Sequence, residues 1–573
     1  METNRKITAG LGISTQISIE DLSTLKQAGY RSIINARPDS ESPDQVANPE
    51  LALAAAALDL EYRFIPVVAG AISDDDVAAF GRALLEMPQP ILGFCRSGTR
   101  VASLWALDQA GHDDVDHLIK MASAVNADIS GLRPRLVARH DSASQAMSCA
   151  MSSYDIVIVG AGAAGCGAAS SILKRRRDLK IAIIDPRQQH FYQAGWTMIG
   201  GGIFKPESTE RPMQSVIPKG TIWIKAAVAG FAPERHQVFL DDGSIINYRA
   251  LVVAPGLELN WAGIDGLTET LGKNGVTSNY QHGLASYTWT LVQNLKSGVA
   301  LFTQPPMPIK CAGAPQKAMY LSADYWRRSG VLDKIKIEFH NNGAVLFGVK
   351  EFVPPLMEYV ERYKAELVFG STLKAVDGPA RIATFEDKMP DGSVKLVQKS
   401  FDMLHVVPPQ RAPAFVAKSA LANEAGWVAV DQQTLQHVKY PDVFSLGDVC
   451  SAPNAKTAAA VRKQAPVVAM NLLAMLNGQP VRAVYDGYGA CPLTVERGKV
   501  VLAEFGYGGK LLPSFPLNPA VARRSSWFLK ATLMPFIYWN MLLKGNEIMV
   551  KHELKAVEPE TAPACDFETV SGR

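Results

Sequence analysis

At 573 residues the chain is too long for a single hydrophobic core and is sized for about three or four domains. Its 47% hydrophobic and 20% charged residues are those of a folded globular protein, and a net charge of +3 gives no footing for nucleic-acid binding. The start METNRKITAGLGISTQ lacks a leader's apolar run and no stretch is long enough to span a bilayer. The seven dispersed cysteines (Cys95, Cys149, Cys166, Cys311, Cys450, Cys491, Cys565) do not form a secreted disulfide framework, so a cytosolic compartment is expected.

Helical and strand-like runs alternate over residues 1–135. EDLSTLKQAGY predicts a helix stopped by glycine, RSIINARPD a strand entering a loop, Leu51 to Leu58 a helix and YRFIPV another strand. SDDDVAAFGRALLEM begins with acids suited to a helix start, and QPILGFCRSGTRVASLWAL reads as strand, loop and helix. That loop, Cys95 to Arg100, carries chemistry. Inward backbone N–H groups and the following helix favour a thiolate at Cys95, and Arg96 and Arg100 add positive field. A plainly buried strand-end cysteine is the alternative.

INARPD (Ile34 to Asp39) and CRSGTR resemble a phosphatase-like domain family, sometimes fused to sulfide-metabolising enzymes, over residues 1 to about 115. True cysteine phosphatases put five residues between cysteine and arginine, whereas this loop has four. The shorter loop is similar to that of rhodanese-type sulfurtransferases, whose cysteine carries a persulfide. Sulfur transfer, with Cys95 and Arg100 as its catalytic residues, is therefore favoured over phosphate hydrolysis. Residues 136–153 are small, polar and aperiodic and read as a linker, in which Cys149 is incidental.

From Tyr154 a buried strand (YDIVIVG) leads into GAGAAG, then a helix of small residues and a second strand ending at Asp185. Gly160 permits the turn, Gly162 lets a pyrophosphate approach the backbone, and Gly165 allows close helix–strand packing. Ala163 and Ala164 open the helix whose N-terminus faces the phosphates, and Asp185 can bond a ribose hydroxyl. His190, Tyr192 and Trp196 are candidates to line a cleft. Two later turns are similar to those of flavoproteins with two dinucleotide domains: Ala254-Pro255-Gly256 after one strand, and Gly447-Asp448 after another. That resemblance makes FAD the bound dinucleotide. A nicotinamide-dependent relative would carry a second glycine triplet near residue 300; GVALFTQPPMPIKCAGAPQK has none, so a nicotinamide site is disfavoured and Cys311 stands in the turn.

MPIKCAGAPQKAMYLS, TLQHVKYPDVFSLGD, KTAAAV, YDGYGACPL and LMPFIYWNMLLKG resemble sulfide:quinone oxidoreductases of the mitochondrial type from about Tyr154 to Gly545. The resemblance implies a redox-active disulfide between Cys311 and Cys491, with Cys491 carrying the persulfide and Cys311 facing the flavin. It also implies FAD contacts at the glycine turn, Asp185, Gln193, Val228, Gly256, Gly447, Asp448 and Lys456. Cys450, one place from a family cysteine, is expected to be structural. No cysteine lies between Cys166 and Cys311, so two active cysteines rather than three are expected.

The fold class expected is α/β: an N-terminal phosphatase-like domain (1–135), a linker (136–153), then a flavoprotein with two Rossmann-like domains. The first part of the FAD domain spans 154–290, the second Rossmann-like domain, without an NAD fingerprint, 291–410, and the FAD completion with the second redox cysteine 411–510. An amphipathic membrane and quinone segment (511–546) and a loose tail (547–573), with Cys565 in no role, close the chain. Trp527, Tyr538 and Trp539 suit a headgroup boundary, with Phe536, Ile537, Leu542 and Leu543 below it and Pro535 breaking the run, a core helix pair being the alternative. The expected enzyme oxidises hydrogen sulfide to sulfane sulfur and reduces ubiquinone, peripherally on the inner face of the cell membrane. Its sulfur acceptor is a small thiol or sulfite, and a homo-oligomer is compatible with the sequence. The rival readings are an NADH-linked disulfide or quinone reductase fused to a regulatory cysteine phosphatase, and a non-catalytic N-terminal module.

Overall fold

The computed structural model describes residues 5–43, 45–111, 113–550 and 553–555, with side chains left aside for 142–151. The chain divides into two compact units, residues 1–151 and 152–573.

The first unit is built on a five-stranded sheet in the order Arg5–Lys6, Leu11–Ser14, Ile91–Phe94, Ser32–Asn35, Glu61–Phe64. All neighbours run parallel except the opening pair. Ile91–Phe94 is buried throughout because strands flank it on both sides and helices cover both faces. Helix Asp74–Glu86 starts on a capping box, Ser73 and Asp76 exchanging hydrogen bonds. Because Ile91–Phe94 inserts between two strands that precede it in the chain, its carboxyl end opens at a change in strand order, where α/β folds place ligands. Cys95 lies there.

The boundary between the two units falls within the segment expected as a linker (136–153), whose backbone is helical over Arg133–Ala150 and leads into strand Met151–Val159. Small and polar residues are weak helix formers, but no glycine or proline interrupts the run after Pro134, so the backbone ladder is not broken. Cys149 falls among side chains outside the description, and Cys565 outside the described residues.

Two of the second unit's sheets, the largest among the described residues, position the site. One runs Thr221–Ile224, Ile181–Ile184, Met151–Val159, Ile245–Val253, Gln237–Leu240, Val228–Ala232, with Val443–Ser445 also pairing Ile245–Val253 in parallel. The turns after Val159, Val253 and Ser445 thus emerge from neighbouring strands at one sheet edge. The other sheet, all parallel, runs Val276–Thr277, Met403–His405, Gly298–Gln304, Ile335–Asn341, Glu366–Phe369. Helix Ala314–Arg328 connects Gly298–Gln304 to Ile335–Asn341 and packs on the hairpin Gly489–Glu496/Lys499–Phe505. That packing brings residue 491 back to residue 311.

The carboxyl-terminal segment differs from expectation. Helical turns run from Arg524–Phe528 through one π-type stretch, Leu529–Leu533, into Met534–Asn540. Pro535 does not break the run: it sits in the first turn of the last helix, where its missing N–H costs nothing. Tyr538, Trp539, Leu542 and Leu543 are buried in the core of the FAD sheet, not at a boundary. Tyr538 accepts the packing of Tyr192, ring centroids 4.7 Å apart, and Arg211 lies 4.3 Å over Trp539. Exposed apolar residues on this segment are Phe528, Leu533 and Phe536, the last 57% exposed. Among the described residues, no helix is long and apolar enough to cross a membrane.

Candidate functional site

In the second unit, a cavity of about 340 Å³ opens at the edge where the three turns emerge. Its walls carry Gly162, Ala163 and Ala164 from the glycine turn, Gly256, Gly447 and Asp448 from the other two, and Gln193, Lys310, Cys311 and Lys456. His190, Tyr192 and Trp196 line it as well. Gly160, Gly165, Asp185 and Val228 do not. Gly160 and Gly165 serve the turn itself: a Cβ on Gly165 would lie 1.8 Å from the Gly160 carbonyl oxygen. Asp185 is 2% exposed; its carboxylate accepts the Ala161 N–H at 2.8 Å and the Arg187 guanidinium at 3.0 Å. Burial pushes its carboxyl up, but Arg187 and that N–H together hold it below the usual range. Val228 begins a strand three places across the sheet from the glycine turn's strand.

The cavity fits FAD. A Cβ on Gly162 would meet nothing within 4 Å, which leaves open space in front of the helix Ala163–Arg175 for a pyrophosphate. The indole N–H of Trp196 and both amide atoms of Asn279, residues of the same wall, are buried without a protein partner.

Cys311 and Cys491, 180 positions apart, meet with their sulfurs 3.4 Å apart. Gly313 makes this approach possible, since a Cβ there would lie 2.4 Å from the Cys491 sulfur. Cys311 itself adopts a left-handed backbone (φ +50°), costly for a residue with a side chain, and it is fixed by its neighbours. Its N–H donates to the Lys456 carbonyl at 3.0 Å, and its carbonyl accepts from Ala314 N–H at 2.7 Å.

The charge on this sulfur pair is shared unequally. The hydrogen bond between the two sulfurs, with Lys317 Nζ 3.2 Å from the Cys311 sulfur, holds Cys311 far below the usual thiol range against the cost of burial. The same bond and burial push Cys491 up. Burial also lowers Lys530 to about 7 and Lys310 to about 8. Lys530 donates to the Ala194 carbonyl at 2.9 Å, and Lys310 to Gln193 Oε1 at 2.7 Å. Lys456 donates to the carbonyls of Asp448 and Cys450, at 2.6 and 3.0 Å. Asp448 is raised by its burial, against the pull of Lys456 and Lys310. Cys450 is buried and its thiol bonds the Gly447 carbonyl, a structural arrangement.

Lys317 and Lys530 were not singled out from the sequence. Lys317 lies inside the CAGAPQK motif, six residues after Cys311, so the signal was present: a basic side chain one turn into the helix that follows a cysteine. Lys530 comes from a remote segment, and no local pattern points from it to the sulfurs.

The first unit holds a different sulfur site. Cys95, fully buried, accepts the Gly98 N–H at 3.1 Å from within its own loop. Arg96 is exposed rather than turned to the sulfur. Arg100 donates to the Val67 carbonyl at 2.9 Å and to Glu41 at 2.7 Å. Arg37, of INARPD, donates to the same Glu41 oxygen at 3.0 Å and to Gln16 at 2.8 Å. Arg100 and Arg37 thus converge on one carboxylate oxygen, and together they hold Glu41 low.

Residues 3–112 match the phosphatase-like domain of beta-lactamase hydrolase-like proteins, and residues 154–291 match the pyridine nucleotide-disulphide oxidoreductases. Over 105 residues the chain is 39% identical to a beta-lactamase hydrolase-like protein of Agrobacterium fabrum, covering 18% of this chain and 24% of that protein. The crystal structure of the sulfide:quinone oxidoreductase of Aquifex aeolicus shares the fold (TM-score 0.58, 19% identity, 70% of this chain and 97% of that one). Over 396 residues the chain is 42% identical to the mitochondrial sulfide:quinone oxidoreductase of Dictyostelium discoideum, covering 68% of this chain and 86% of that protein. With Cys311 in the cavity wall, Cys491 paired to it and this extent of identity, the chain belongs to the sulfide:quinone oxidoreductase family.

Proposed function

We propose that the chain oxidises hydrogen sulfide to sulfane sulfur at Cys311 and Cys491 and passes the two electrons through FAD to ubiquinone. The meeting of the Cys491 sulfur with that of Cys311, which lines the cavity, carries this reading. With the pair oxidised, HS⁻ attacks the Cys491 sulfur; the S–S bond breaks, leaving a persulfide on Cys491 and a thiolate on Cys311. Lys317, 3.2 Å from Cys311, stabilises the leaving thiolate and lowers the barrier to that cleavage. A small thiol or sulfite then takes the outer sulfur from Cys491. Bound FAD supplies the two-electron relay between the sulfur pair and the quinone. The glycine turn would hold its pyrophosphate, and Gln193, Gly256, Gly447, Asp448 and Lys456 would hold the remainder. The test is anaerobic sulfide titration: two-electron bleaching of the flavin in wild type, none in Cys311→Ser or Cys491→Ser at equal flavin content. Full bleaching in both variants overturns the assignment.

The first unit we assign to persulfide handling through Cys95, with Arg100 as a positioning residue. The Glu41 carboxylate beside Arg100 and Arg37 favours this over phosphate hydrolysis, because a phosphate dianion would meet that negative charge. Loss of sulfur transfer from thiosulfate or a thiol persulfide in Cys95→Ala, with no aryl phosphate hydrolysis in wild type, is the expected result. The exposed Phe528, Leu533 and Phe536 beside Arg523, Arg524 and Lys544 support peripheral binding at the inner face of a cell membrane, where ubiquinone is dissolved.

A further inference from the structure

The hairpin Gly489–Glu496/Lys499–Phe505 has two faces with different surroundings. Its register pairs Ala490 with Glu504, Cys491 with Ala503 and Pro492 with Leu502. Side chains alternate along a strand, so Cys491, Leu493, Val501 and Ala503 share one face, in the core that includes helix Ala314–Arg328. Ala490, Pro492, Leu502 and Glu504 point the other way, and all four line the cavity. Cys491 and Glu504 thus sit on opposite faces of one hairpin, while Cys311 lines the same cavity as Glu504.

Glu504 is 3% exposed. It accepts hydrogen bonds from the Tyr488 hydroxyl at 2.6 Å, the Ser514 hydroxyl at 2.5 Å and the Ser514 N–H at 3.0 Å. No salt bridge reaches it among the described residues. Tyr488 is equally buried, and the Glu504 charge adds to burial in pushing its hydroxyl up to about 12. The cavity wall carries Arg462 as well as apolar residues: Pro492, Leu502, Phe515, Met534, Ile537 and Leu542. Arg462 and Lys463 lie 5.5 and 4.1 Å from the centroid of the Tyr488 ring, Lys463 being paired with Asp486 at 3.0 Å. The three donors to Glu504 all come from Tyr488 and Ser514, residues of the same wall. The chamber suits a flat apolar ring with an oxygen to be hydrogen-bonded.

We propose that Tyr488 and Glu504 deliver a proton to the quinone, an inference that rests on the quinone-reducing activity proposed above. Converting a quinone to a quinol takes two electrons and two protons, and oxidising H₂S and a thiol to a persulfide releases two of each. The electron pair and one proton arrive by way of the flavin. For the second proton, the Tyr488 O–H bond breaks as an O–H bond forms on a quinone oxygen. Glu504, protonated from water at the half-buried Ser514 edge, returns a proton to Tyr488 and is left as a carboxylate, which water protonates again.

The experiment uses the FAD-loaded full chain, wild type, Glu504→Gln and Tyr488→Phe, in anaerobic rapid mixing. Sulfide is expected to bleach the flavin equally fast in all three. Reoxidation by a short-chain ubiquinone is expected to slow at least about tenfold in both variants. Its rate should then fall with rising pH, because the proton must come from water, while wild type stays flat around neutrality. Reoxidation by ferricenium, which needs no proton, should be unchanged. A carboxyl band in the infrared difference spectrum on quinone binding should be present in wild type and absent from Glu504→Gln. Wild-type quinone rates and pH profile in both variants overturn the proposal, as does equal slowing with quinone and ferricenium, which marks a structural defect. If Glu504→Gln does not fold, Tyr488→Phe decides alone. Failure of sulfide to bleach the wild-type flavin would remove the parent activity, and the proton role with it.

Discussion

Two cysteines in this protein end up as sulfur-chemistry candidates by opposite means. Cys311 has a second sulfur at 3.4 Å and a buried ammonium at 3.2 Å, in a strained turn pinned by three backbone and side-chain partners. Cys95 has one loop N–H at 3.1 Å, and the nearby guanidiniums are committed to Glu41. The first is equipped to carry a thiolate and exchange it for a disulfide without outside help. The second is a single sulfur with no other sulfur and no free cation beside it among the contacts described. Position after a buried strand is common to both; the chemistry differs because different partners pack against the same kind of turn.

Removing a sulfur breaks the contrast most sharply. Cys311→Ser or Cys491→Ser is expected to lower sulfide-dependent flavin reduction by about 10⁴-fold or more, measured in a single turnover, while Cys95→Ala leaves that rate unchanged. Lys317→Met should follow, with a loss of about 10²-fold, since the developing thiolate loses its one close cation. The sign of its pH dependence is fixed: without Lys317 the Cys311 thiol rises, so the ascending limb of the sulfide-dependent rate moves to higher pH. A profile that only scales down without moving would assign Lys317 to packing.

Glu41→Gln tests the other side of the comparison. It leaves two buried guanidiniums with a neutral partner and should destabilise the first unit by about 1 kcal/mol, since Glu41 itself is open to solvent, read as faster hydrogen exchange in Ser32–Asn35. If Glu41 holds Arg100 away from an anion, the same variant gains affinity for phosphate or sulfate; unaltered anion affinity places Glu41 in a purely structural role. The smallest effect is expected at the surface. Phe528→Asp with Phe536→Asp should weaken sedimentation with anionic vesicles about tenfold and leave turnover with a water-soluble quinone intact. Tyr538→Phe should leave vesicle binding alone, because its ring is buried and its hydroxyl is spent on His190 at 2.7 Å.

Much of this was legible in one dimension because it is local. The glycine turn, the strand–loop–helix around Cys95 and the missing second glycine triplet each depend on backbone geometry within a dozen residues, and the structure has strands and helices at each of them. The helical backbone of the linker was not legible, because aperiodic polarity says little about a helix that lacks a breaker. Tyr538 and Trp539 were misread because an aromatic run between basic residues has the same composition at a lipid boundary as against a sheet; only the packing partners tell them apart. His190 shows the point, its imidazole bonded to both Ala161 and Tyr538 and held neutral by burial, at about 4.

The sequence by itself determined that a dinucleotide turn, a cysteine in place of a nicotinamide turn and a lone strand-end cysteine are present, since short-range sterics and hydrogen bonding dictate those turns. Tertiary structure alone decided who stands next to whom. Lys317 and Lys530 are brought to one sulfur pair, Glu41 is inserted between Arg37 and Arg100, and the period of a hairpin turns Cys491 to one side and Glu504 to the other. Electrostatic control of a thiol falls off within a few ångströms, and such distances are set by packing between segments hundreds of residues apart, which no local pattern encodes.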